Sequence, residues 1–222
     1  IIQPGIFCKS CKYCNDNKEN YCDNYAVLGE TCNGVQSEYV IVNPINIYPK
    51  PSNISFIEAA SMPLTFMTSY EMVVKRAKLK SNETILIYGG SSGVGSAAIQ
   101  IAKDIGANII ATAGNEVKEE FCYKMGANIV LNHNSNNYFN EIKKITKSCS
   151  IDVIFEHIGK NTWQNSLRLL GKGGRIVTCG ATSGKKVEID LTHLFIKQQS
   201  ILGSTMSCIN SFNEVLLKIN NN

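Results

Sequence analysis

The sequence predicts an α/β fold with a doubly wound parallel sheet, joined to a smaller cysteine-rich part. Three observations predict it. Short apolar strands alternate with helical patterns after residue 84, a glycine-rich turn follows the first of these strands, and four cysteines crowd into one loop near the start. Strands buried on both faces form continuous apolar runs, and right-handed crossovers place helices on either side of a parallel sheet.

Composition narrows the possible classes of protein. The 222 residues are 44% hydrophobic and 18% charged, and 22 Lys and Arg oppose 18 Asp and Glu for a net charge of +4. This length fits one large domain or two modest ones. The charge is too weak and dispersed for a nucleic-acid partner, and no apolar run reaches the roughly 18 residues of a membrane helix. The chain opens without a methionine or a secretion signal, so we expect a cytoplasmic protein and an internal piece of a longer one.

Four of the nine cysteines form a metal-binding pattern. Cys8, Cys11, Cys14 and Cys22 follow the spacing C-x2-C-x2-C-x7-C, and the residues between them lack an apolar period that could build a core. Four thiolates suit tetrahedral zinc and leave no open coordination position, so the expected zinc is structural. The alternative is four unrelated thiols. The other cysteines are scattered: Cys32, Cys122, Cys149, Cys179 and Cys208. An odd total favours a reducing compartment over a disulfide framework.

Between the cysteines and the sheet, the sequence predicts one strand and two helices. Residues 35–42 alternate in the manner of a strand. Ser55 and Glu58 form a capping box at the start of a helix, Pro63 interrupts it, and a helical pattern resumes over 65–75.

From residue 84 onward, the alternation of strand and helix is regular. The predicted strands are 85–88, 108–112, 129–131, 151–155 and 175–179, with 200–203 as a possible sixth. The predicted helices are 94–103, 117–125, 139–147 and 162–170. In the first of these helices Ala97, Ala98 and Ile101 are expected to face the sheet, because they share one helical face.

The glycine-rich turn has the composition of a phosphate-binding loop. Read as G-x-G-x-x-G, it contains Gly90, then Ser92 in place of the second glycine, then Gly93, Val94 and Gly95. Glycine permits the tight turn, small side chains admit a pyrophosphate, and the amino end of the next helix supplies N–H groups and a positive dipole. A strand precedes the turn and a helix follows it, which is the required context. A tight turn without a ligand is the alternative.

The end of the second strand of the sheet indicates which dinucleotide is preferred. A site for NAD usually places Asp or Glu there to accept from the ribose 2′-hydroxyl, but residues 111–115 contain no acid. Lys118 and His133 could face a 2′-phosphate, which favours NADP(H) over NAD(H). Alternatively, Lys118 is a solvated helix residue and His133 an ordinary loop residue.

Several motifs, in this order, resemble the medium-chain dehydrogenase/reductase superfamily, which includes zinc-containing alcohol dehydrogenases and quinone oxidoreductases. They are the cysteine loop 8–22 and the segments 29–42, 58–70, 92–95, 118–127, 156–159 and 173–180. The resemblance implies part of a GroES-like catalytic domain over 1–65, with the zinc lobe at 5–25. It also implies a Rossmann dinucleotide-binding domain over 66–202 and the start of a return segment over 203–222.

The resemblance also assigns residues to the site. The four cysteines of the 8–22 loop fall on the structural-zinc ligands of the family. Thr68 falls where the family contacts the nicotinamide end of the cofactor, and Gly159, Cys179 and Gly180 fall on loops beside that ring. Leu64 departs from the pattern, because alcohol dehydrogenases place a catalytic-zinc cysteine there and leucine cannot ligate zinc. Hydride transfer to a conjugated carbonyl or quinone is therefore favoured over metal-assisted alcohol oxidation.

The expected function is that of an NAD(P)(H)-dependent oxidoreductase acting on a small molecule, and family analogy implies a homodimer or homotetramer. A non-catalytic dinucleotide-binding protein on the same fold is the alternative. A zinc-knuckle nucleic-acid binder is disfavoured, because acidic residues offset the lysines around the cysteines. No catalytic residue is assigned: His157 and His193 lack a visible partner, and a lone histidine is more often structural.

Overall fold

The computed structural model describes residues 1–147 and 150–221, so Cys149 lies outside the described residues. The chain divides into two compact units, Ile1–Glu71 with Thr205–Asn222, and Met72–Ser204. The strands are β1 (Gly5–Ile6), β2 (Ala26–Val27), β3 (Thr84–Ile87), β4 (Asn108–Ala113), β5 (Ile129–Asn132), β6 (Ile151–Glu156), β7 (Leu170–Thr178) and β8 (Ser200–Gly203). The α-helices are α1 (Lys12–Asn15), α2 (Phe56–Ser61), α3 (Pro63–Tyr70), α4 (Gly93–Ile105), α5 (Glu116–Met125), α6 (Tyr138–Ile145), α7 (Trp163–Leu169), α8 (Leu191–Ile196) and α9 (Ile209–Asn220).

The second unit is built on a six-stranded sheet in the order β5-β4-β3-β6-β7-β8, and every neighbouring pair is parallel. The chain winds outward from β3 through β4 to β5, then returns to β6 beside β3 and winds the other way. Right-handed crossovers in the two directions cover opposite faces of the sheet. The predicted doubly wound α/β fold is confirmed, including the sixth strand.

Helix α4 begins and ends where local chemistry dictates. Ser92 caps α4 by accepting from the Gly95 N–H, and Gly106 ends the helix in a left-handed conformation with φ of 84°. Ala97 and Ala98 are fully buried and Ile101 nearly so, as expected for the face toward the sheet. The centre of the sheet is a continuous apolar core, and its members include Leu86, Tyr88, Ile110, Ile154, Trp163, Leu167 and Ile176.

Arg175 holds together the amino-terminal edge of the sheet. Its Nη1 and Nη2 donate to the two carboxylate oxygens of Glu83 at 2.9 and 2.6 Å, and its Nε donates to the Ala77 carbonyl at 2.6 Å. The side chains of Arg175 and Glu83 are only 15% and 21% exposed. Burial raises the pKa of Glu83, but hydrogen bonds from Arg175 and the Lys80 N–H outweigh it, and the pKa is lowered from 4.5.

We expect Arg175→Ala to lower the free energy of unfolding of this unit by about 2–3 kcal/mol at neutral pH, because it leaves a half-buried carboxylate without its partner. A lowered folded-state pKa stabilises the fold above the unfolded value near 4.5, and this contribution is lost as the pH falls below it. Urea titrations at several pH values, followed by fluorescence of Trp163, the one tryptophan of the sequence, measure both effects.

The matched control is Lys124→Ala, which breaks an exposed ion pair with Glu120 at 2.8 Å. Its expected cost is below about 0.5 kcal/mol. An equal cost for the two substitutions would contradict the role given to Arg175.

The first unit contains less regular structure. β1 and β2 form an antiparallel pair, and the predicted capping box at the start of α2 is present. The helical pattern predicted over 65–75 is found in two pieces, because α3 begins at Pro63 and a π-helix replaces it over Glu71–Arg76. Tyr70 on α3 donates from its hydroxyl to Glu214 of α9 at 2.6 Å.

The strand predicted over 35–42 is wrong, because no described residue of this segment lies in a strand. Its alternating residues include Tyr39, which is 91% exposed, and Ile41, which is fully exposed. A strand forms only where a partner accepts its backbone hydrogen bonds, and among the described residues none pairs with this segment.

Candidate cofactor and metal sites

The glycine-rich turn lies between β3 and α4, at the carboxyl edge of the sheet. The Gly90 N–H donates to the Thr112 carbonyl at 2.8 Å, and the Gly89 N–H donates to the Thr112 hydroxyl at 3.1 Å. Gly89 has a φ of +57°, a left-handed conformation that other residues rarely adopt. The turn is therefore anchored to the end of β4, next to the point where the strand order reverses.

Close packing around this turn excludes side chains. A Cβ on Gly95 would lie 2.3 Å from the Gly89 carbonyl oxygen and 2.9 Å from the Gly90 Cα. A Cβ on Gly90 would lie 3.0 Å from the Cys122 sulfur. The backbone of the turn is therefore pressed onto the first turn of α4, and glycine is required for this approach.

The amino end of α4 has the chemistry of an anion site. The helix begins at Gly93, which is exposed, and continues through Val94 and Gly95. The N–H groups of a first helical turn have no acceptor inside the helix and form the positive end of its dipole. The Ser92 hydroxyl accepts from Gly95 at 3.0 Å and satisfies one of these groups. A pyrophosphate is the kind of anion that such a turn binds.

The residues expected beside the nicotinamide ring lie on the ends of two adjacent strands. Gly159 follows β6 with a φ of +91°, and a Cβ there would lie 2.6 Å from the Gly184 carbonyl oxygen. Cys179 and Gly180 follow β7, and a Cβ on Gly180 would lie 3.2 Å from the His157 carbonyl oxygen. Burial raises the pKa of the Cys179 thiol to about 11. The structure thus brings these three residues to one edge, across β6 from the glycine turn.

Lys118 lies in the first turn of α5, which follows β4, and His133 directly follows β5. Both are on the other side of the glycine turn from β6. Asn115 caps α5 by accepting from the Lys118 N–H at 3.0 Å. A Cβ on Gly114 would lie 3.1 Å from the His133 Nε2. Burial, and then the positive charge of Lys118, lower the pKa of His133 below its ordinary 6.5. Because β4 ends at Ala113, the structure presents no carboxylate at the position where NAD sites place one.

Thr68 belongs to the other unit and lies on α3. Its side-chain oxygen is buried and has no hydrogen-bond partner among the residues that the structure describes. Burying an unpaired hydroxyl costs free energy. A buried hydroxyl without a partner is compatible with a residue that binds a ligand. The contact of Thr68 with a cofactor stays a prediction.

Two polar residues of the edge were not predicted from the sequence. Thr112 anchors the glycine turn, as described above. Glu156, at the end of β6, is fully buried, and its Oε1 accepts from the N–H groups of Ile158 and Gly159 at 2.7 and 3.1 Å. Its Oε2 accepts from the hydroxyls of Thr162 and Ser166. The available signal was a charged residue directly after the apolar run 153–155 of β6.

The four cysteines of the predicted pattern meet in space. Sulfur atoms of Cys8, Cys11, Cys14 and Cys22 all lie within 4.8 Å of one another, and those of Cys8 and Cys14 are 3.8 Å apart. Four sulfurs around one zinc at about 2.3 Å would be roughly 3.8 Å apart. Within residues 1–147 and 150–221, this is the only group of three or more Cys, His, Asp or Glu ligands placed to bind a metal.

Hydrogen bonds within the cluster already favour thiolate at one position. Donation from the backbone N–H groups of Ser10 and Cys11 lowers the pKa of Cys8 to about 6. Desolvation, and then a hydrogen bond shared with the Cys11 thiol, raise the pKa of Cys14 to about 12. A bound divalent cation deprotonates coordinating thiols outright, so the donor set and its spacing fit zinc.

Comparisons with known proteins agree with this geometry. A family model described as zinc-binding dehydrogenase matches residues 93–221, more than half of the chain. The chain belongs to the medium-chain dehydrogenase/reductase superfamily. The resemblance predicted from the motifs is therefore confirmed, and the sheet described above is the Rossmann-like sheet of these proteins.

Alignments with individual relatives include most of this chain but only part of each relative. A quinone oxidoreductase from Homo sapiens is 33% identical over 176 residues, which are 79% of this chain and 53% of that protein. The crystal structure of an NAD-dependent alcohol dehydrogenase superposes with a TM-score of 0.93 at 37% identity, over 99% of this chain and 64% of the other. A 2-octenoyl-CoA carboxylase reductase, solved with NADP and 2-octenoyl-CoA, gives a TM-score of 0.90 at 26% identity, over 99% and 54%.

The chain spans about half the length of the curated relatives it matches. Among the described residues, no helix combines the length and apolar composition that crossing a bilayer requires.

Proposed function

We propose that the protein is an NAD(P)(H)-dependent oxidoreductase that exchanges hydride with a small-molecule substrate. The observation that supports this most strongly is the glycine turn between β3 and α4, where Gly95 leaves room only for backbone and the amino end of the helix faces outward for a pyrophosphate. Bound nicotinamide supplies or accepts the hydride. The residues of this chain bind the cofactor and fix its position.

The cofactor preferred is NADP(H). A carboxylate at the end of β4 would accept from a ribose 2′-hydroxyl and repel a 2′-phosphate, and β4 has none. The lowered pKa of His133 favours its neutral imidazole. Lys118 therefore supplies the charge that pairs with a 2′-phosphate, and His133 supplies a hydrogen bond.

The substrate class proposed is a conjugated carbonyl or a quinone. Leu64, at the position of a catalytic-zinc cysteine in alcohol dehydrogenases, is 45% exposed on α3 and cannot ligate a metal. Without a Lewis acid, a hydride acceptor must already be activated by conjugation, and hydrogen bonds stabilise the developing oxyanion. The name of the human relative, quinone oxidoreductase, supports the same class.

The cysteine cluster is proposed to hold one structural zinc. Four sulfur ligands close the coordination sphere, so the metal would hold the segment 8–22 in shape and take no part in the reaction. A non-catalytic dinucleotide-binding protein on the same fold is the second candidate, and it differs in lacking turnover.

The cofactor proposal predicts that the full-length protein binds NADPH at least about tenfold more tightly than NADH. Lys118→Ala is expected to raise the Kd for NADPH about tenfold and leave that for NADH unchanged, because a charge-assisted hydrogen bond to the 2′-phosphate is lost. Fluorescence titration of the reduced cofactors measures both constants. Lys124→Ala, on the same helix, is the control that should change neither.

The reaction proposal is tested in parallel by following the absorbance of NADPH. Quinones, enals and simple aldehydes are supplied with NADPH, and secondary alcohols are supplied with NADP⁺. Turnover confined to quinones and enals is expected. Turnover confined to simple alcohols and aldehydes would refute the interpretation of Leu64, and binding without turnover across the panel would favour the non-catalytic candidate.

A further inference from the structure

The His157 imidazole is fixed at the carboxyl edge of the sheet, between the ends of β3 and β6. Its Nε2 lies 2.8 Å from the Tyr88 carbonyl oxygen. The ring also packs edge-on to Phe155, with 6.0 Å between ring centres. The His157 carbonyl accepts from the N–H and the hydroxyl of Thr182, both at 3.3 Å. Contacts of the ring and of the backbone together set the orientation of this side chain.

The same imidazole stands against the phosphate-binding turn. A Cβ on Gly89 would lie 3.2 Å from Cε1 and 3.3 Å from Nε2 of His157. The glycine at this position, with its φ of +57°, therefore makes room for the ring as well as for the turn. Because β3 and β6 are adjacent strands from which the chain winds in opposite directions, the ring lies at the topological switch point, where α/β sheets bind ligands.

One nitrogen of this fixed ring is available to a ligand. A carbonyl oxygen can only accept, so Nε2 carries the hydrogen, and in the neutral ring Nδ1 is then an acceptor. No residue in the described part of the chain bonds Nδ1. His157 is half-buried, and its Nδ1 is the ring nitrogen without a partner among the described residues.

The backbone that follows His157 is fixed by hydrogen bonds to buried and partly buried side chains. The fully buried carboxylate of Glu156 binds the N–H groups of Ile158 and Gly159, and the Ile158 carbonyl accepts from the Ser183 hydroxyl at 2.8 Å. This anchoring keeps the imidazole in place without help from a ligand, which is the preorganisation that a binding residue needs.

We propose that His157 binds the second ribose of the dinucleotide, with Nδ1 accepting a hydrogen bond from a ribose hydroxyl. The inference rests on the proposed function, because it needs the cofactor at this edge. The adenosine half would lie toward Lys118 in α5 and His133 after β5, and the pyrophosphate would lie on the first turn of α4. The remaining ribose would then lie over β6, next to His157.

The test compares two ligands that differ by this ribose. ADP contains the adenosine and the pyrophosphate, and ADP-ribose adds the second ribose without nicotinamide. Both, with their 2′-phosphorylated counterparts, are titrated calorimetrically into the full-length wild-type protein, His157→Gln and His157→Phe. Glutamine can keep an N–H for the Tyr88 carbonyl but has no acceptor atom at the position of Nδ1, and phenylalanine keeps a ring without either nitrogen.

We expect both substitutions to weaken ADP-ribose and NADPH about 5- to 10-fold, as for one lost hydrogen bond, and to change ADP less than about twofold. Undiminished ADP binding shows that the variants are folded. The proposal is overturned if His157→Gln binds ADP-ribose like the wild type, or if ADP weakens as much as ADP-ribose. If the wild type binds neither the fragments nor any nicotinamide dinucleotide, the proposed function itself fails, and that result differs from the other two.

Discussion

Gly95→Ala is expected to lower the free energy of unfolding of the second unit by about 3 kcal/mol and to raise the Kd for NADPH more than about tenfold. The added methyl carbon would lie 2.3 Å from the Gly89 carbonyl oxygen, which belongs to backbone and cannot swing away. The turn must then separate from α4, and the N–H groups that receive the pyrophosphate lose their arrangement. The sign of this change in the free energy of unfolding is informative, because alanine ordinarily stabilises a helix interior by about 1 kcal/mol relative to glycine.

Urea unfolding followed by Trp163 fluorescence and titration with NADPH measure the two effects of this substitution. Gly203→Ala is the matched control, because a Cβ on Gly203 meets nothing within 4 Å. It should leave stability within about 0.5 kcal/mol of the wild type and leave binding unchanged. If Gly95→Ala behaved like the control, the turn would have room for a side chain, and the phosphate site inferred from its close packing would be wrong.

The sheet could be predicted from the sequence because its signals are local. Each strand contains a short apolar run, and α4 has recognisable caps in Ser92 and Gly106, as α5 has in Asn115 and Gly126. The glycine turn was also predictable, because its backbone needs positive φ and close approach, and both requirements are met by glycine. The roles of Thr112 and Glu156 could not be assigned in the same way. They depend on which loop lies next to the end of each strand in the folded protein.

The first unit was predicted less well, for reasons that are also physical. The alternation over 35–42 is typical of a strand, but pairing is non-local, and no partner is found among the described residues. At the boundary between the two units, the π-helix Glu71–Arg76 has a residue pattern that periodicity cannot distinguish from that of an ordinary α-helix. The cysteine cluster is the exception, because cysteine spacing alone predicted the four sulfurs that the structure brings within 4.8 Å of one another.

The second large expected effect is the loss of zinc from this cluster in the variant Cys22→Ser. We expect the wild-type full-length protein to contain one zinc per chain and the variant less than about a tenth of that, because serine is a poor ligand for a soft thiolate site. Cys22 is buried, 6% exposed, so the hydroxyl would also be desolvated. Structural zinc sites contribute on the order of 10 kcal/mol of binding free energy. Proteolysis within residues 1–25 should therefore accelerate strongly in the variant.

Elemental analysis and timed proteolysis measure this prediction, with Cys32→Ser as the control. Cys32 is exposed and lies outside the cluster, so its replacement should preserve both the zinc and the resistance to cleavage. Prolonged chelation of the wild type should reproduce the proteolysis of Cys22→Ser without abolishing cofactor binding, because the glycine turn belongs to the other unit. Two zinc ions per chain would mean that a second metal is bound despite Leu64, and metal-assisted alcohol oxidation would then replace hydride transfer to a conjugated acceptor.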